Sequence, residues 1–199
     1  GGFSYGNQGI SHNTFEDFAI MRTLPNFRIF SPGTRDEVSK CCNKIFNNPD
    51  PSYIRLGKAP LENYKAIESV QDVGEFYKKG NDLLIISTGN LIDEVIKSAN
   101  KLHLKSIDCS VFSFYNIKPI KEELIIRILE KYSKIIVVEE NVIIGGLNSI
   151  ISEIKVKNEL GCSIYPLALE DKVHNIIGDQ DYLRKINKID NKSITDFII

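Results

Sequence analysis

The sequence predicts an α/β fold built on a mostly parallel β-sheet. Over residues 81–199, short apolar runs alternate with segments whose apolar residues recur at helical spacing. The runs, such as Leu83–Ile86 and Ile135–Val138, are apolar on both faces. Strands have this composition when helices cover both sides of a parallel sheet. This region is therefore predicted to be a three-layer domain.

The elements of this domain follow one another in a regular order. Strands are predicted over 82–87, 106–112, 134–138 and 162–167, and helices over 91–102, 122–132, 147–158, 182–186 and 193–199. The last helix begins at Ser193, with Asp196 three residues further on, which is a helix-start signal. Asn116–Pro119 is predicted to be a turn.

Residues 1–56 predict only part of a second α/β domain. Helices are predicted over 14–24 and 34–46, and strands over 27–30 and 53–56. Thr34 and Glu37 have the spacing of a capping box, in which side-chain oxygens bind free amides of the first helical turn. Two strands and two helices are too few to cover both faces of a sheet. Residues 57–80 have no clean period and contain several glycines, which predicts a linker with one short helical piece.

Charge and cysteine content exclude several classes of function. Lys and Arg number 25 and Asp and Glu 26, for a net charge of -1, so no basic field indicates a nucleic-acid or membrane partner. The apolar runs are far shorter than the roughly 20 residues of a membrane-spanning helix, and no secretory signal is expected. The four cysteines have no metal-site spacing with the three histidines, which predicts buried thiols in a reducing cytoplasm.

The segment Gly6–His12 is the first candidate binding site. Its glycines allow a backbone to approach a ligand closely. It ends in an imidazole just ahead of the predicted helix start, where free amides favour anions. A tight loop with Ser11 as helix cap, or a surface His12, explains the same residues without a ligand. The glycine spacing matches neither a dinucleotide-binding nor a P-loop fingerprint.

Two further candidates lie at strand ends. Arg55 ends a short strand, where a guanidinium is suited to a bidentate phosphate contact, and the alternative is a surface ion pair. Glu139 and Glu140 follow the third strand of the C-terminal domain and are candidates for acid–base chemistry, with Gly145-Gly146 as a phosphate cradle. We favour the alternative of a tight turn, in which the glycines allow close packing and the carboxylates cap a helix or contact another subunit.

Several segments, taken in order, resemble the transketolase family. Those similar to the second half of its pyrimidine-binding domain are Gly6–His12, Glu16-Asp17, Met21–Asn26, Ser31–Gly33 with Glu37, and Tyr53–Arg55. Those similar to its C-terminal domain are Ser87–Asn90, Ile117–Ile120 and Val138–Asn141 with Gly145-Gly146. The Glu-Glu-Asn stretch is most like deoxyxylulose-phosphate synthases, and Glu16–Asn26 is more like the C-terminal subunits of split transketolases. The resemblance divides the chain into the end of a pyrimidine-binding domain (1–56), a linker (57–80) and a transketolase C-terminal-like domain (81–199).

The resemblance implies an enzyme that moves a ketol or related two-carbon unit between sugar phosphates with thiamine diphosphate and Mg²⁺. It implies that His12 lines the substrate channel and that Arg55 binds the substrate phosphate. Gln8 stands where many transketolases carry an aspartate that binds a substrate hydroxyl. A neutral amide there changes the hydrogen-bond polarity, so a different sugar specificity is expected. No residue of this chain is assigned a catalytic role.

The resemblance also implies parts that are expected elsewhere. The family binds its metal through a G-D-G…N motif in a separate domain, of which Gly178-Asp179-Gln180 is only a chance echo. The glutamate that activates the cofactor is expected upstream of Gly1. We therefore predict a chain that is inactive alone and needs a cofactor-binding domain or partner subunit, in a homodimer or heterotetramer. The alternative is a non-catalytic dimerisation or assembly module that retains the C-terminal fold.

Overall fold

The structure is a computed structural model that describes residues 1–58 and 64–199. The helices are α1 (Asp17–Arg22), α2 (Arg35–Asn47), α3 (Ile92–His103), α4 (Glu122–Leu129), α5 (Leu147–Lys157), α6 (Gln180–Ile186) and α7 (Asn191–Ile198). The strands are β1 (Arg28–Phe30), β2 (Ser52–Ile54), β3 (Glu68–Val70), β4 (Gly74–Lys78), β5 (Leu83–Ser87), β6 (Cys109–Phe114), β7 (Asn116–Lys118), β8 (Lys134–Val142) and β9 (Ser163–Leu169). Among the helices of those two ranges, none combines the length and apolar character that a bilayer span requires.

A large sheet forms the centre of the C-terminal domain. Within the described residues its order is β3-β4-β6-β5-β8-β9. Strands β6, β5, β8 and β9 are parallel, and β4 pairs antiparallel with both β6 and β3. Ile135 and Val137 of β8 join the core that includes α4 and α5, whereas Ile136 and Val138 join the core that includes α3, α6 and α7. Helices therefore cover both faces, and the predicted three-layer, mostly parallel fold is confirmed.

A smaller sheet connects the N-terminal region to this domain. Its order in the described residues is β2-β1-β7, where β1 and β2 are parallel and β7 is antiparallel to β1, with Ile29 opposite Lys118. The turn predicted at Asn116–Pro119 is therefore wrong for its first three residues. They form a strand because Ile117 is buried and because the free edge of β1 offers N–H and C=O groups that need partners.

The stretch 57–80, predicted to be a linker with a helical piece, contributes β3 and β4 to the large sheet. Its described part, 64–80, contains no helix, and 59–63 lie outside the described residues. Gly74, which suggested a linker, is a packing position, because the carbonyl oxygen of Ser113 leaves no room for a side chain. The glycine thus marks the close approach of two strands rather than a flexible connection.

Strand β8 is longer than predicted. Most other elements begin and end within a few residues of the predicted bounds, but β8 continues beyond Val138 to Val142. The added part contains Glu139, Glu140 and Asn141, all buried. Charged side chains occupy a buried strand only when other groups satisfy them. Their partners come from distant parts of the chain, which explains why the apolar pattern alone ended the strand too early.

The capping box and the cysteines agree with prediction. Thr34 Oγ1 accepts a hydrogen bond from Glu37 N (3.3 Å), as the capping box predicts, so α2 begins where expected. The Glu37 carboxylate differs in binding Gly33 N (2.6 Å), one residue ahead of the cap. All four cysteines are free; three are buried and Cys42 is half-buried. Burial raises the pKa of the Cys41 thiol to about 12, which keeps it protonated and unreactive at neutral pH.

Candidate functional site

The predicted site segment is a compact loop that is closed at its base. Gly2 and Thr14 form an antiparallel bridge in which Gly2 N donates to Thr14 O (3.0 Å). Between them lie two single turns of 3-10 helix, Gly6–Gln8 and Ile10–His12. Gly9 separates the turns with a φ of 77°, a conformation that favours glycine. We call residues 2–14 the Gly2–Thr14 loop.

The glycines of this loop are buried, and the polar side chains of Gln8 and His12 extend into solvent, whereas Asn13 is half-buried. Gly6 and Gly9 lie against α6 and the residues that precede it. Gln8 and His12 are exposed. The Nδ1 atom of His12 lies 3.0 Å from Ser11 Oγ, and its Nε2 atom has no hydrogen-bond partner in the described ranges. An imidazole nitrogen and an amide are thus available to a ligand on one loop.

One detail predicted for this loop is wrong. Helix α1 begins at Asp17 rather than near residue 14, and Ser11 does not cap it. The carboxylate of Glu16 accepts a hydrogen bond from Phe15 N (3.2 Å) ahead of the helix. The Phe15 amide behind His12 is therefore bonded within the chain, whereas no side-chain hydrogen bond caps the first turn of α1.

Arg55 lies beneath the exit of the loop, and oxygen atoms of the protein bind its guanidinium. Nη2 donates to Thr14 O (3.0 Å) and Glu140 O (2.9 Å), and Nη1 donates to Asn141 Oδ1. Asp17 Oδ1 is 3.4 Å from Nη1. The side chain is only 8% exposed, so the ion pair expected as the alternative exists but is buried. The role of Arg55 as a phosphate contact stays a prediction.

Asp17 and Asn141 complete this network. Tyr53 Oη donates to Asp17 Oδ2 (2.8 Å), and Asn141 Nδ2 donates to Asp17 Oδ1 (3.0 Å) and Phe15 O (2.9 Å). Burial raises the pKa of Tyr53 to about 12, and the nearby Asp17 charge adds to it, so the phenol remains a donor at neutral pH. The network joins the end of β2, the start of α1 and the end of β8 through satisfied polar groups.

Glu139 and Glu140 serve different elements. Glu139 caps α5, because its carboxylate accepts hydrogen bonds from Leu147 N (2.6 Å) and Asn148 N (2.9 Å) and lies too close to Gly146 for any side chain there. The carboxylate fills the place where a phosphate cradle was considered. Glu140 instead forms a buried ion pair with Arg184 (2.8 Å). The predicted helix-capping role is therefore confirmed for Glu139, whereas the ion pair of Glu140 within the chain was not predicted.

Beside Arg55 there is a small polar cavity. Its volume is about 10 Å³, which is room for one water molecule. It is lined by Gly1, Ser31, Arg55, Gly57, Thr88, Gly89, Asn90, Glu140 and Asn141. A sugar phosphate does not fit in this space.

Lys58 is an exposed cation beside the loop that was not predicted. Its Nζ atom lies 4.8 Å from the centroid of the Tyr5 ring, and its backbone N–H donates to Ser4 Oγ (3.3 Å). The sequence feature that could have indicated Lys58 is its position as a second basic residue, three positions after Arg55. Unlike that guanidinium, the Lys58 ammonium forms no ion pair within the described residues.

The described residues do not fit a metal-anchored diphosphate. In the parts of the chain that the structure covers, no group of three or more His, Cys, Asp or Glu could hold a metal ion. Asp179 of the Gly178–Gln180 echo caps α6 by accepting a hydrogen bond from Tyr182 N (2.8 Å). This carboxylate is part of the helix terminus and not of a metal site.

Comparison with known proteins identifies the family. The domain described as "Transketolase, C-terminal domain" matches residues 73–176, and "Transketolase, pyrimidine binding domain" matches residues 1–63. The chain belongs to the transketolase family. These matches confirm the resemblance seen in the sequence, while the boundary predicted at residue 80 stays a prediction.

Relatives of this transketolase-family chain include both groups that its motifs suggested. It is 27% identical to a subunit of the apulose-4-phosphate transketolase of Actinobacillus succinogenes, over all of this chain and 64% of that protein. It is 30% identical to 1-deoxy-D-xylulose-5-phosphate synthase of Halothermothrix orenii, over 95% of this chain and 30% of that protein. The chain thus spans less than two thirds of the length of either relative.

Solved structures confirm the fold. A split gene transketolase, described as an inactive beta4 tetramer, superposes with a TM-score of 0.81 at 24% identity, over 94% of this chain and 60% of the other. The transketolase of Campylobacter jejuni superposes with a TM-score of 0.78 at 20% identity, over 99% of this chain and 30% of the other. At these identities the comparison concerns the fold alone.

Burial of Glu139 should make the stability of the fold depend on pH. Burial raises the pKa of Glu139 from 4.5 to about 7, so the folded state binds this proton more tightly than the unfolded state does. The free energy of unfolding should therefore fall as pH rises from about 4.5 to about 7, by on the order of 3 kcal/mol from this group. Glu139→Gln should remove that slope, measured by urea unfolding at pH 5 and pH 8.

The matched control for this measurement is Glu123→Gln, which changes an exposed carboxylate of α4. It should leave the pH dependence as in the wild type. If Glu139→Gln kept the wild-type pH dependence, the titrating group would not be Glu139.

Proposed function

We propose that this chain is part of a thiamine-diphosphate-dependent transketolase-like transferase that moves a ketol or related two-carbon unit between sugar phosphates. The observation that carries the proposal is the exposed His12 imidazole, on the same loop as the exposed Gln8 amide, with the base of the loop closed by the Gly2–Thr14 bridge. Family membership over both domains supports the reaction class. One relative is by name a subunit of a transketolase, which supports a partner subunit.

We place the cofactor and its Mg²⁺ on a partner subunit or another cofactor-binding domain, in a homodimer or heterotetramer. The residues described here do not fit a metal-anchored diphosphate, and the chain spans only part of its relatives. The role of this chain is then to bind and orient the sugar phosphate, so that the reacting groups are held in the correct geometry. Four free thiols support assignment of the assembly to the reducing cytoplasm.

Substrate contacts are assigned to the exposed side of the Gly2–Thr14 loop. The Nε2 atom of His12 can donate to a sugar or phosphate oxygen once Ser11 Oγ has fixed the other ring nitrogen. Gln8 presents both a donor and an acceptor, whereas a carboxylate at this position would only accept. The sugar hydroxyl bound here can therefore be a donor or an acceptor, which favours a substrate unlike that of transketolases with aspartate at this place.

Arg55 and Lys58 are the two candidates for the phosphate contact. Arg55 is the residue predicted from the sequence, but both hydrogens of its Nη2 atom are used by Thr14 O and Glu140 O. Lys58 carries an exposed ammonium group beside Tyr5. We assign the phosphate contact to Lys58, and we assign to Arg55 the task of holding the exit of the loop; Arg55 as the direct contact is the alternative.

The purified chain should not catalyse ketol transfer by itself. Mixed with the subunit or domain that binds thiamine diphosphate and Mg²⁺, it should form an active complex, because both parts of the site are then present. The measurement is ketol transfer between sugar phosphates, with and without the partner, after mixing at increasing ratios. A saturable complex without turnover on any sugar phosphate would favour the non-catalytic assembly module.

Replacing His12 by Ala in the active complex should raise KM for phosphorylated sugars roughly 10–150-fold, the loss expected for one hydrogen bond to a charged group. The Tm should not change, because the imidazole is exposed. The matched control is His103→Ala, an exposed histidine at the end of α3, which should leave KM as in the wild type. Equal effects of the two variants would contradict the assignment of His12.

The two candidate cations are distinguished by stability and kinetics together. Lys58→Ala should raise KM for phosphorylated sugars about tenfold or more at an unchanged Tm. Arg55→Ala should destabilise the chain by about 3–5 kcal/mol, because it leaves the Asp17 carboxylate buried without its cation. Lys105→Ala, at an exposed lysine after α3, is the control. An Arg55→Ala variant with wild-type Tm and raised KM would return the phosphate contact to Arg55.

A further inference from the structure

The carboxylate of Glu140 links α6 to the start of the Gly2–Thr14 loop. It lies in β8 and is 5% exposed. Oε1 accepts a hydrogen bond from Phe3 N (3.0 Å), and Oε2 accepts one from Arg184 Nη2 (2.8 Å). Gln180 Nε2 lies within hydrogen-bond distance of both oxygens, at 3.2 and 3.3 Å. One buried charge thus binds a backbone amide of the loop and two side chains of α6.

Arg184 is held in place from the opposite side as well. Its Nη2 atom donates to Asn90 Oδ1 (3.0 Å), and Asn90 Nδ2 donates to Gln180 Oε1 (3.4 Å). The side chain is 3% exposed, and its Nε atom has no hydrogen-bond partner in the described ranges. A guanidinium this deeply buried depends on its counter-charge. Removal of either partner would therefore leave the other as an isolated buried charge.

The entry of the loop has little room to move. Gly2 has a φ of +59°, and the Cδ atom of Glu140 lies 2.7 Å from the position that a Cβ atom would take. Phe3 is fully buried, and its ring centroid lies 4.7 Å from that of Phe15 in an edge-on arrangement. The Phe3 amide is therefore held by packing on one side and by the carboxylate on the other.

Consecutive backbone turns connect this amide to His12. Gly6 N donates to Phe3 O (2.9 Å), Gly9 N donates to Gly6 O (3.1 Å), and His12 N donates to Gly9 O (3.0 Å). Gly178, just before α6, also donates to Gly6 O (3.4 Å). Each turn begins at the residue where the previous one ends. A shift at Phe3 is therefore passed along the loop to its exposed side chains.

We propose that Glu140 and Arg184 are positioning residues: their ion pair holds the Gly2–Thr14 loop so that Gln8 and His12 are presented in one fixed arrangement. The two residues act through the Phe3 amide and the packing of α6, without touching the substrate. Their effect on catalysis rests on the proposed function, whereas their effect on the loop rests on the geometry alone.

The experiment uses the double variant Glu140→Met with Arg184→Met. It removes both charges together, so no isolated charge remains buried, and it deprives the Phe3 amide of its acceptor. Amide hydrogen exchange in residues 3–12 should accelerate about tenfold or more, as expected when a charged hydrogen bond is lost. The Tm should fall moderately, because the buried Phe3 amide loses its acceptor, but by less than in either single variant, which leaves one isolated buried charge.

The matched control is Glu139→Met, a change of the neighbouring buried carboxylate. It should accelerate exchange at the start of α5 and leave residues 3–12 unaffected. Wild-type exchange of the loop in the double variant, or equal acceleration by the control, would overturn the proposal.

Kinetics of the assembled enzyme then distinguish the effect of the ion pair on the loop from its effect on substrate binding. The double variant should raise KM for phosphorylated sugars about tenfold and change kcat less, whereas a purely structural role would lower the amount of active enzyme at constant KM. A loosened loop together with an unchanged KM would support the anchoring of the loop by Glu140 and would contradict the proposed function.

Discussion

The buried polar end of β8 is the constraint on which the rest of the structure depends. Glu139, Glu140 and Asn141 occupy consecutive positions there, and each serves a different element: the first caps α5, the second binds α6 and the loop entry, and the third binds Arg55. Burial of such groups is costly unless every one has partners. The strand can therefore extend to Val142 only while all of these elements are in place.

This arrangement explains how an N-terminal region with little core of its own is held. Phe18 of α1 is buried in the core of the C-terminal domain, and β7 from that domain completes the small sheet. Arg55 and Asn141 add a polar joint between the two regions. Because these contacts connect residues far apart in the chain, the N-terminal region depends on the C-terminal domain for its structure.

Local pattern was sufficient to predict the helices and the central parallel strands, and insufficient to predict β3, β4 and β7 or the joints between elements. The apolar period located β5 and β8, because burial on both faces leaves a direct record in the sequence. It ended β8 at Val138, because the local sequence does not distinguish two kinds of glutamate. A glutamate in a solvated turn has the same neighbours in the sequence as Glu139, whose buried carboxylate binds a helix N-terminus. In the same way, the sequence alone leaves Arg55 as either an ion pair or a phosphate contact, because it does not show whether the partners are protein or ligand atoms, and the phosphate contact was implied by the family resemblance. The family resemblance indicated the His12 loop, but not which of its parts are buried, because the glycines pack against residues near α6 that are distant in the sequence.

The construction of the loop also separates its support from its specificity. Its buried face consists of the Phe3 ring at the entry and of glycine backbone beyond it. Charged groups at the entry and the exit therefore add to the anchoring that the Phe3 ring supplies. The exposed side chains take no part in that anchoring. A substitution such as Gln8 for an acidic residue can therefore change the hydrogen bonds that the loop offers to a ligand while the loop keeps its place. Preorganisation of this kind matters most where a site is completed by another part of an assembly, because the loop must have its final geometry before the two parts meet.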